Sequence, residues 1–416
     1  MIHLWLKTLM AAAAGSIFVV ISLGSSGFGQ GQEKILYSFC SAANCTDGAS
    51  PEGRLAFDSA GNLYGTTAGG GINCGECGTV FELSPRDNGT WVHSVLHNFG
   101  AGIDGSTPQA GIVLDKAGNL YGTTTIGGTF GLGTVFELIP PTQQGGSWTE
   151  AVLWSFGASG DGAGPMSDLV FDATGNLYGT TEGGGAYGGY GTVFQLVPPS
   201  SGTQWSENLL FAFGSNQLNG GVPKAGVTFG KDGNLYGATY EGGTNQGFGL
   251  GVVYKLSPSI ELPWSEAVLF RFTRKTGGNS LADMTFDSLG NLYGTTTNWS
   301  GGYGSVFRLA LKGGNQVRWL PFSPVGGEFP AAGILIVGET AYGTTQGGGT
   351  GEDGGTAYKI QGTTETVLYN FCSQPQCADG YTPFAALISD MEGNLYGTTA
   401  NGGANLNGGV VFELPK

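Results

Sequence analysis

The 416 residues carry 31 acidic and 16 basic side chains, a formal charge of −15. That balance excludes nucleic acid as a partner, whose phosphates require basic surface, and it argues against adhesion to anionic lipid. Eighty glycines with only 11% charged residues suggest low complexity, but the glycines alternate with runs of Val, Phe, Leu, Tyr and Trp, so a core can form.

The chain opens with a leader. His3 and Lys7 precede an apolar run from Leu9 to Leu23, followed by Gly24-Ser25-Ser26-Gly27. The run is shorter than the ~20 residues that a spanning helix needs, so residues 1–29 are expected to be a removed signal peptide with cleavage after Gly29. The mature chain, 30–416, is then expected to be secreted or periplasmic, or associated with the cell surface, with no stable membrane insertion.

From there one motif organises everything. Gly61-Asn62-Leu63-Tyr64-Gly65-Thr66-Thr67 returns at Tyr121, Tyr178, Tyr236, Tyr293 and Tyr396, and a worn copy sits at Tyr342. The tyrosines are 57, 57, 58, 57, 49 and 54 residues apart. A fixed period of this length means one supersecondary unit whose neighbours bury each other's apolar faces. In the second unit, 110–115 reads as a strand and Asp115 to Gly118 as a type I turn with a glycine bulge. Three further strands follow at 119–124, 133–138 and 148–156, all short, alternating, and rich in β-branched and aromatic residues. No segment after the leader shows a helical period. Four antiparallel strands, here A to D from inner to outer, repeated seven times, predict an all-β, seven-bladed β-propeller over 30–416. Ile35 to Phe39 matches strand D and Val410 to Leu414 matches strand C, so the N-terminal strand is expected to complete the last blade. A monomer is expected.

The paired motifs Gly-Asn-Leu-Tyr-Gly-Thr-Thr and Gly-Thr-Val-Phe-Glu-Leu resemble the GloVer tandem-repeat family of exported bacterial proteins, over about residues 35–414. The resemblance implies the repeat and supplies no catalytic residues. Members often carry a C-terminal sorting tail. Here a strand runs almost to Lys416, so no anchor is expected there.

Loops on one face of the ring, D–A and B–C, are the longer ones and are expected to hold any site. The D–A loops carry Asp-Gly-x-x-Pro, beginning at Asp47, Asp104, Asp161 and Asp379. These read as turn caps in preference to calcium ligands, because each loop offers one carboxylate and calcium takes about six to eight oxygens. The B–C loops hold Phe130, Tyr187, Tyr190, Phe248, Trp299 and Tyr303, either platforms for sugars or packing for their own loops. Trp91, Trp148, Trp205, Trp264 and Trp319 recur near the start of strand D and read as packing at the outer blade edge in preference to lectin-like sites. The six cysteines form close pairs, Cys40/Cys45, Cys74/Cys77 and Cys372/Cys377, read as disulfides of an exported chain. A zinc site and a redox pair at Cys74/Cys77 are the alternatives. His93 and His97, four apart on one strand, are expected to share a face ~13 Å apart, which makes them poor joint metal ligands.

Ten residues before each repeat tyrosine the chain is mostly small, but Arg54, Asp168 and Asp283 break the pattern at the start of the innermost strand. They are either a polar site in the channel mouth or a structural ion-pair set. No nucleophile elbow, phosphate loop or zinc-protease motif appears, and no metal or cofactor is expected. Three functions remain: a scaffold binding a protein or glycan ligand, a lyase or hydrolase using channel carboxylates, or a structural surface protein.

Overall fold

The computed structural model describes residues 33–416 except 144, 245–248, 299–301, 313, 351 and 406, and leaves out the side chain of Gln217. The leader expected over 1–29 lies outside the described residues.

Seven four-stranded antiparallel sheets follow one another, each in the order A-B-C-D. In blade 1 these are Ala56–Phe57, Leu63–Thr67, Thr79–Pro85 and Trp91–Asn98. Blades 2 to 6 span 113–155, 170–212, 228–271, 285–321 and 335–370. Blade 7 takes strands A to C from 388–414 and strand D from Lys34–Ser38, which pairs Lys34 with Glu413 and Ile35 with Phe412. The ring is therefore closed by the N-terminal strand, which leaves no unpaired edge between the ends of the chain. Strand A is shorter than the sequence suggests. In blade 2 only Val113 and Leu114 pair with strand B, not 110–115.

Each letter of the repeat has a local cause. Asp58 Oδ1 accepts the backbone N–H groups of Ala60 and Asn62, while Oδ2 accepts Asn62 Nδ2 and the Tyr64 hydroxyl. This network fixes the four-residue A–B turn, in which Gly61 takes a φ of +87°. A Cβ on Gly65 would stand 2.6 Å from the Phe81 ring, so glycine here makes room for the strand-C phenylalanine. The first threonine ties blades together, Thr66 Oγ1 donating to Ala110 O at 2.7 Å and Thr180 Oγ1 to Ala225 O at 2.9 Å. The second, Thr67, bonds Thr79 Oγ1 on the neighbouring strand of its own blade at 2.9 Å. Among the largest fully buried side chains are the strand-C aromatics Phe81, Phe136, Phe194, Phe307 and Phe412, with Tyr254 and Tyr358 in blades 4 and 6.

Two expectations need correction. A bulge between Val80 and Phe81 lets His93 stand opposite Leu83 and His97 opposite Val80, so the two histidines face opposite neighbours. His93 stacks on Tyr37 of the closing strand at 4.1 Å, whereas His97 meets Asp104 at 3.3 Å. Trp319 lies within its strand opposite Phe307, where Val95 and Val152 stand in blades 1 and 2, and not at the strand's start.

Candidate site at the mouth of the central channel

A central cavity of about 580 Å³ is lined by residues from all seven blades. Its rim is the residue that follows the D–A proline: Glu52, Gln109, Met166, Lys224, Ala331 and Phe384, with Leu281 after Ser280 in blade 5. Sequence reasoning missed this ring. Its signal was available, since the residue after each proline changes chemistry from blade to blade while the tyrosine motif does not.

Two positions deeper stand Arg54, Asp168 and Asp283, and all three line the cavity. Arg54 Nε pairs with Asp168 Oδ2 at 2.9 Å, reaching past the glycine of the intervening blade. Both acids also accept from the preceding blade, Asp168 Oδ1 from Gly111 N at 2.6 Å and Asp283 Oδ1 from Gly226 N at 2.5 Å. A Cβ on Gly111 would stand 2.6 Å from Arg54 O and 2.9 Å from Asp168 Oδ1, and one on Gly226 2.9 Å from Asp168 O and 3.1 Å from Asp283 Oδ1, so both positions favour glycine. Protein surrounds Arg54 on most sides, yet 40% of its side chain stays open to the cavity. Desolvation and the Asp168 charge push the Asp283 carboxyl up to about 7, against the opposing pull of Arg54 and the Gly226 N–H.

The rim is held as well. Gln109 Nε2 donates to Glu52 Oε2 at 2.9 Å, and burial raises the Glu52 carboxyl above its ordinary value despite that bond. Lys224 reaches Glu182 at 3.4 Å and lies over the Tyr240 ring. The cavity's charges are Glu52, Arg54, Asp168, Lys224 and Asp283 on blades 1 to 5 and Glu339 on blade 6, while Ala331, Phe384 and Ala386 of blades 6 and 7 add an apolar wall. Such a cavity can hold a polar group against the charges and an apolar group against the wall.

The other candidates are placed as follows. Asp47 accepts the backbone N–H groups of Ser41 and Ala42 and the Tyr37 hydroxyl, and Asp379 accepts Ser373, Gln374 and Tyr369 in the same way. These aspartates are loop caps. Cys40–Cys45, Cys74–Cys77 and Cys372–Cys377 are disulfides on the D–A and B–C loops. Phe130, Tyr187 and Tyr190 keep 53%, 49% and 39% of their surface exposed but stand on the B–C loops of two different blades. Tyr303 packs against the core between blades 5 and 6. Phe248 and Trp299 lie outside the described residues. Trp91, Trp148, Trp205 and Trp264 each pack on the repeat tyrosine of the preceding blade, with ring centroids 6.3 to 6.5 Å apart.

Among curated proteins none matches this chain. Among solved structures it is similar to PorZ, an essential bacterial surface component of the type-IX secretion system of Porphyromonas gingivalis. The identity is 16% and the TM-score 0.53, over 87% of this chain and 46% of PorZ. The chain thus spans about half of PorZ, and the likeness is one of fold. A luciferin-regenerating enzyme aligns at 13% identity and a TM-score of 0.43, over 79% of this chain and 96% of that one. The Gloeobacter/Verrucomicrobia repeat matches residues 8–248 and 245–416, and the chain belongs to that family.

Proposed function

We propose that the protein is an exported propeller scaffold that binds a protein or glycan ligand at the mouth of the central channel. The observation carrying this reading is the pattern of variation around the ring. Where blades pack on one another the repeat is nearly invariant. At the cavity rim, seven equivalent positions hold an acid, an amide, a thioether, a base, two aliphatic residues and a phenyl ring. Packing alone asks for one side chain repeated seven times. A single asymmetric ligand asks for seven different ones. Export is supported by the three disulfides, which persist in oxidising compartments. A surface location is also that of PorZ.

The test is a glycan array and a peptide library probed with residues 30–416, alongside Met166→Trp, which fills the cavity from its rim. Binders retained by the wild type and lost by the variant support the reading. Binders indifferent to the plug overturn it. One observation favours a second reading. Asp283 is raised toward neutrality while Asp168 is ion-paired, and a carboxylate pair so divided suits general acid–base chemistry. A lyase or hydrolase assay with a pH profile centred near 7 would reveal it.

A further inference from the structure

On the opposite face, the grooves between blades are closed by a repeated device. The tryptophan that opens strand D leans over the tyrosine of the preceding blade, in the four pairs given above. Blade 6 lacks it. Its register pairs Thr364 with Gln361, as Ser265 pairs with Ser257 in blade 4, so Thr363 stands where Trp264 stands. Both hairpins of blade 6 on this face are also cut to two residues, Gly338-Glu339 and Gly362-Thr363. A cavity of about 460 Å³ results between blades 5 and 6, over Tyr293.

The blade-5 wall of this cavity has changed in step. Arg308 and Arg318 lie directly opposite each other on strands C and D, Ser305–Ala310 and Gln316–Pro321. The same pair of positions holds Glu82 and Ser94 in blade 1, Glu137 and Ala151 in blade 2, and Lys255 and Ala267 in blade 4. Like charges directly across a ladder are destabilising. The nearest relief is weak, because Asp287 Oδ2 is 3.7 Å from Arg308 and already accepts Asn291 Nδ2 at 2.7 Å. Arg308 Nε is shielded from solvent and makes no hydrogen bond with any described residue. Two guanidinium groups set across one ladder position favour an added anion between them.

We propose that this cavity binds an aromatic carboxylate, its ring occupying the volume that tryptophan fills elsewhere and its carboxylate bridging Arg308 and Arg318. Guanidinium groups suit this task, since their planar donors match a carboxylate. Glu339 stands exposed on the opposite hairpin at the rim. It disfavours a second acidic group on the ligand and leaves room for an ammonium. The chemistry is shared by a free aromatic acid and by the C-terminal residue of a peptide ending in tryptophan.

The test is calorimetric titration of residues 30–416 with N-acetyltryptophan, with N-acetyltryptophan amide, and with a heptapeptide ending in tryptophan. Saturable binding of a carboxylate form, weakened at least about tenfold in the amide, is expected. Whichever of the free acid and the peptide binds more tightly identifies the source. Thr363→Trp should abolish binding and raise the melting temperature by restoring the missing plug. Arg308→Gln with Arg318→Gln should weaken binding at least about tenfold without lowering the melting temperature. No saturable binding of any probe, or binding unchanged by Thr363→Trp, would overturn the proposal.

Discussion

Blades 3 and 6 have the same four strands and solve the same packing problem, yet they leave different surfaces. Blade 3 places Trp205, almost fully buried, on Tyr121 of its neighbour and turns between strands A and B through the Asp172 network. Blade 6 has a two-residue turn with Gly338 at a φ of +62°, and Thr363 in place of the tryptophan. Both keep the aromatic centre of strand C, Phe194 and Tyr358. The difference teaches that the repeat tolerates loss at its loop ends but not at its centre. Openings such as the channel mouth and the groove between blades 5 and 6 arise where loop-end residues depart from the pattern.

Removing residues 30–39 should break the comparison most completely. It strips blade 7 of its outer strand and removes Phe39, which is fully buried. The loss should exceed the ~3–5 kcal/mol of one buried phenylalanine truncation, and limited proteolysis should then cut blade 7 first. An unchanged melting transition would refute closure by this strand.

Truncation at the centre and at the rim sharpens the contrast. Phe194→Ala should cost about 3–5 kcal/mol in chemical denaturation, because its ring is fully buried between blades. Met166→Ala, at the cavity rim, should cost less than about 1 kcal/mol. Equal costs would contradict the division between packing and recognition.

A smaller effect comes from pH. One position on strand D holds His93, Glu150, Glu207, Glu266 and Glu365 in blades 1 to 4 and 6, and Glu33, just before Lys34, takes it in blade 7. Burial pushes Glu33 and Glu207 up to about 8, and Glu150 and Glu266 up to about 7. A carboxyl raised on folding binds its proton more tightly in the native state. Its stabilisation is therefore full below about 4.5 and lost as pH rises through 7 to 8. His93, lowered by burial to about 4, acts in the opposite sense: its contribution is full above about 6.5 and lost as pH falls toward 4. The melting temperature should therefore fall between about pH 4.5 and 8, with His93 offsetting part of the fall below 6.5, and Glu207→Gln should flatten it. The change should be on the order of 1 kcal/mol for the one side chain after solvent screening. A slope identical to that of the wild type would exclude Glu207 as a contributor.

Much of this fold was legible because its causes are local. Asp58, Gly61, Asn62, Tyr64 and Gly65 each satisfy a turn, a positive φ or a close contact within the blade. The seven-fold period and the strand-D character of Ile35 to Phe39 followed from counting. What was not legible depends on partners far apart in sequence. The bulge that separates His93 from His97 is set by strand pairing, and no residue type announces it. The place of Trp319 likewise shows only in the strand pairing, which sets it opposite Phe307. For the site, Arg54, Asp168 and Asp283 stood out because they interrupt a run of small residues. Their arrangement, with each acid capping the glycine N–H of the blade before it, required the closed ring. The variable rim was visible one residue after each proline, but only the ring showed that these residues converge.

The central claim is that the channel charges serve a ligand and not the fold. Asp168 and Asp283 accept backbone N–H groups, so glycine at either place would strand a donor, whereas asparagine keeps an acceptor and removes the charge. The decisive measurement is the affinity and melting temperature of the Asp168→Asn/Asp283→Asn double variant, using the strongest array or peptide binder of the wild type. The predicted result is an affinity at least about a hundredfold lower with a melting temperature within about 2 °C of the wild type. Unchanged affinity, or a steep fall in melting temperature from leaving Arg54 unpaired, would contradict it.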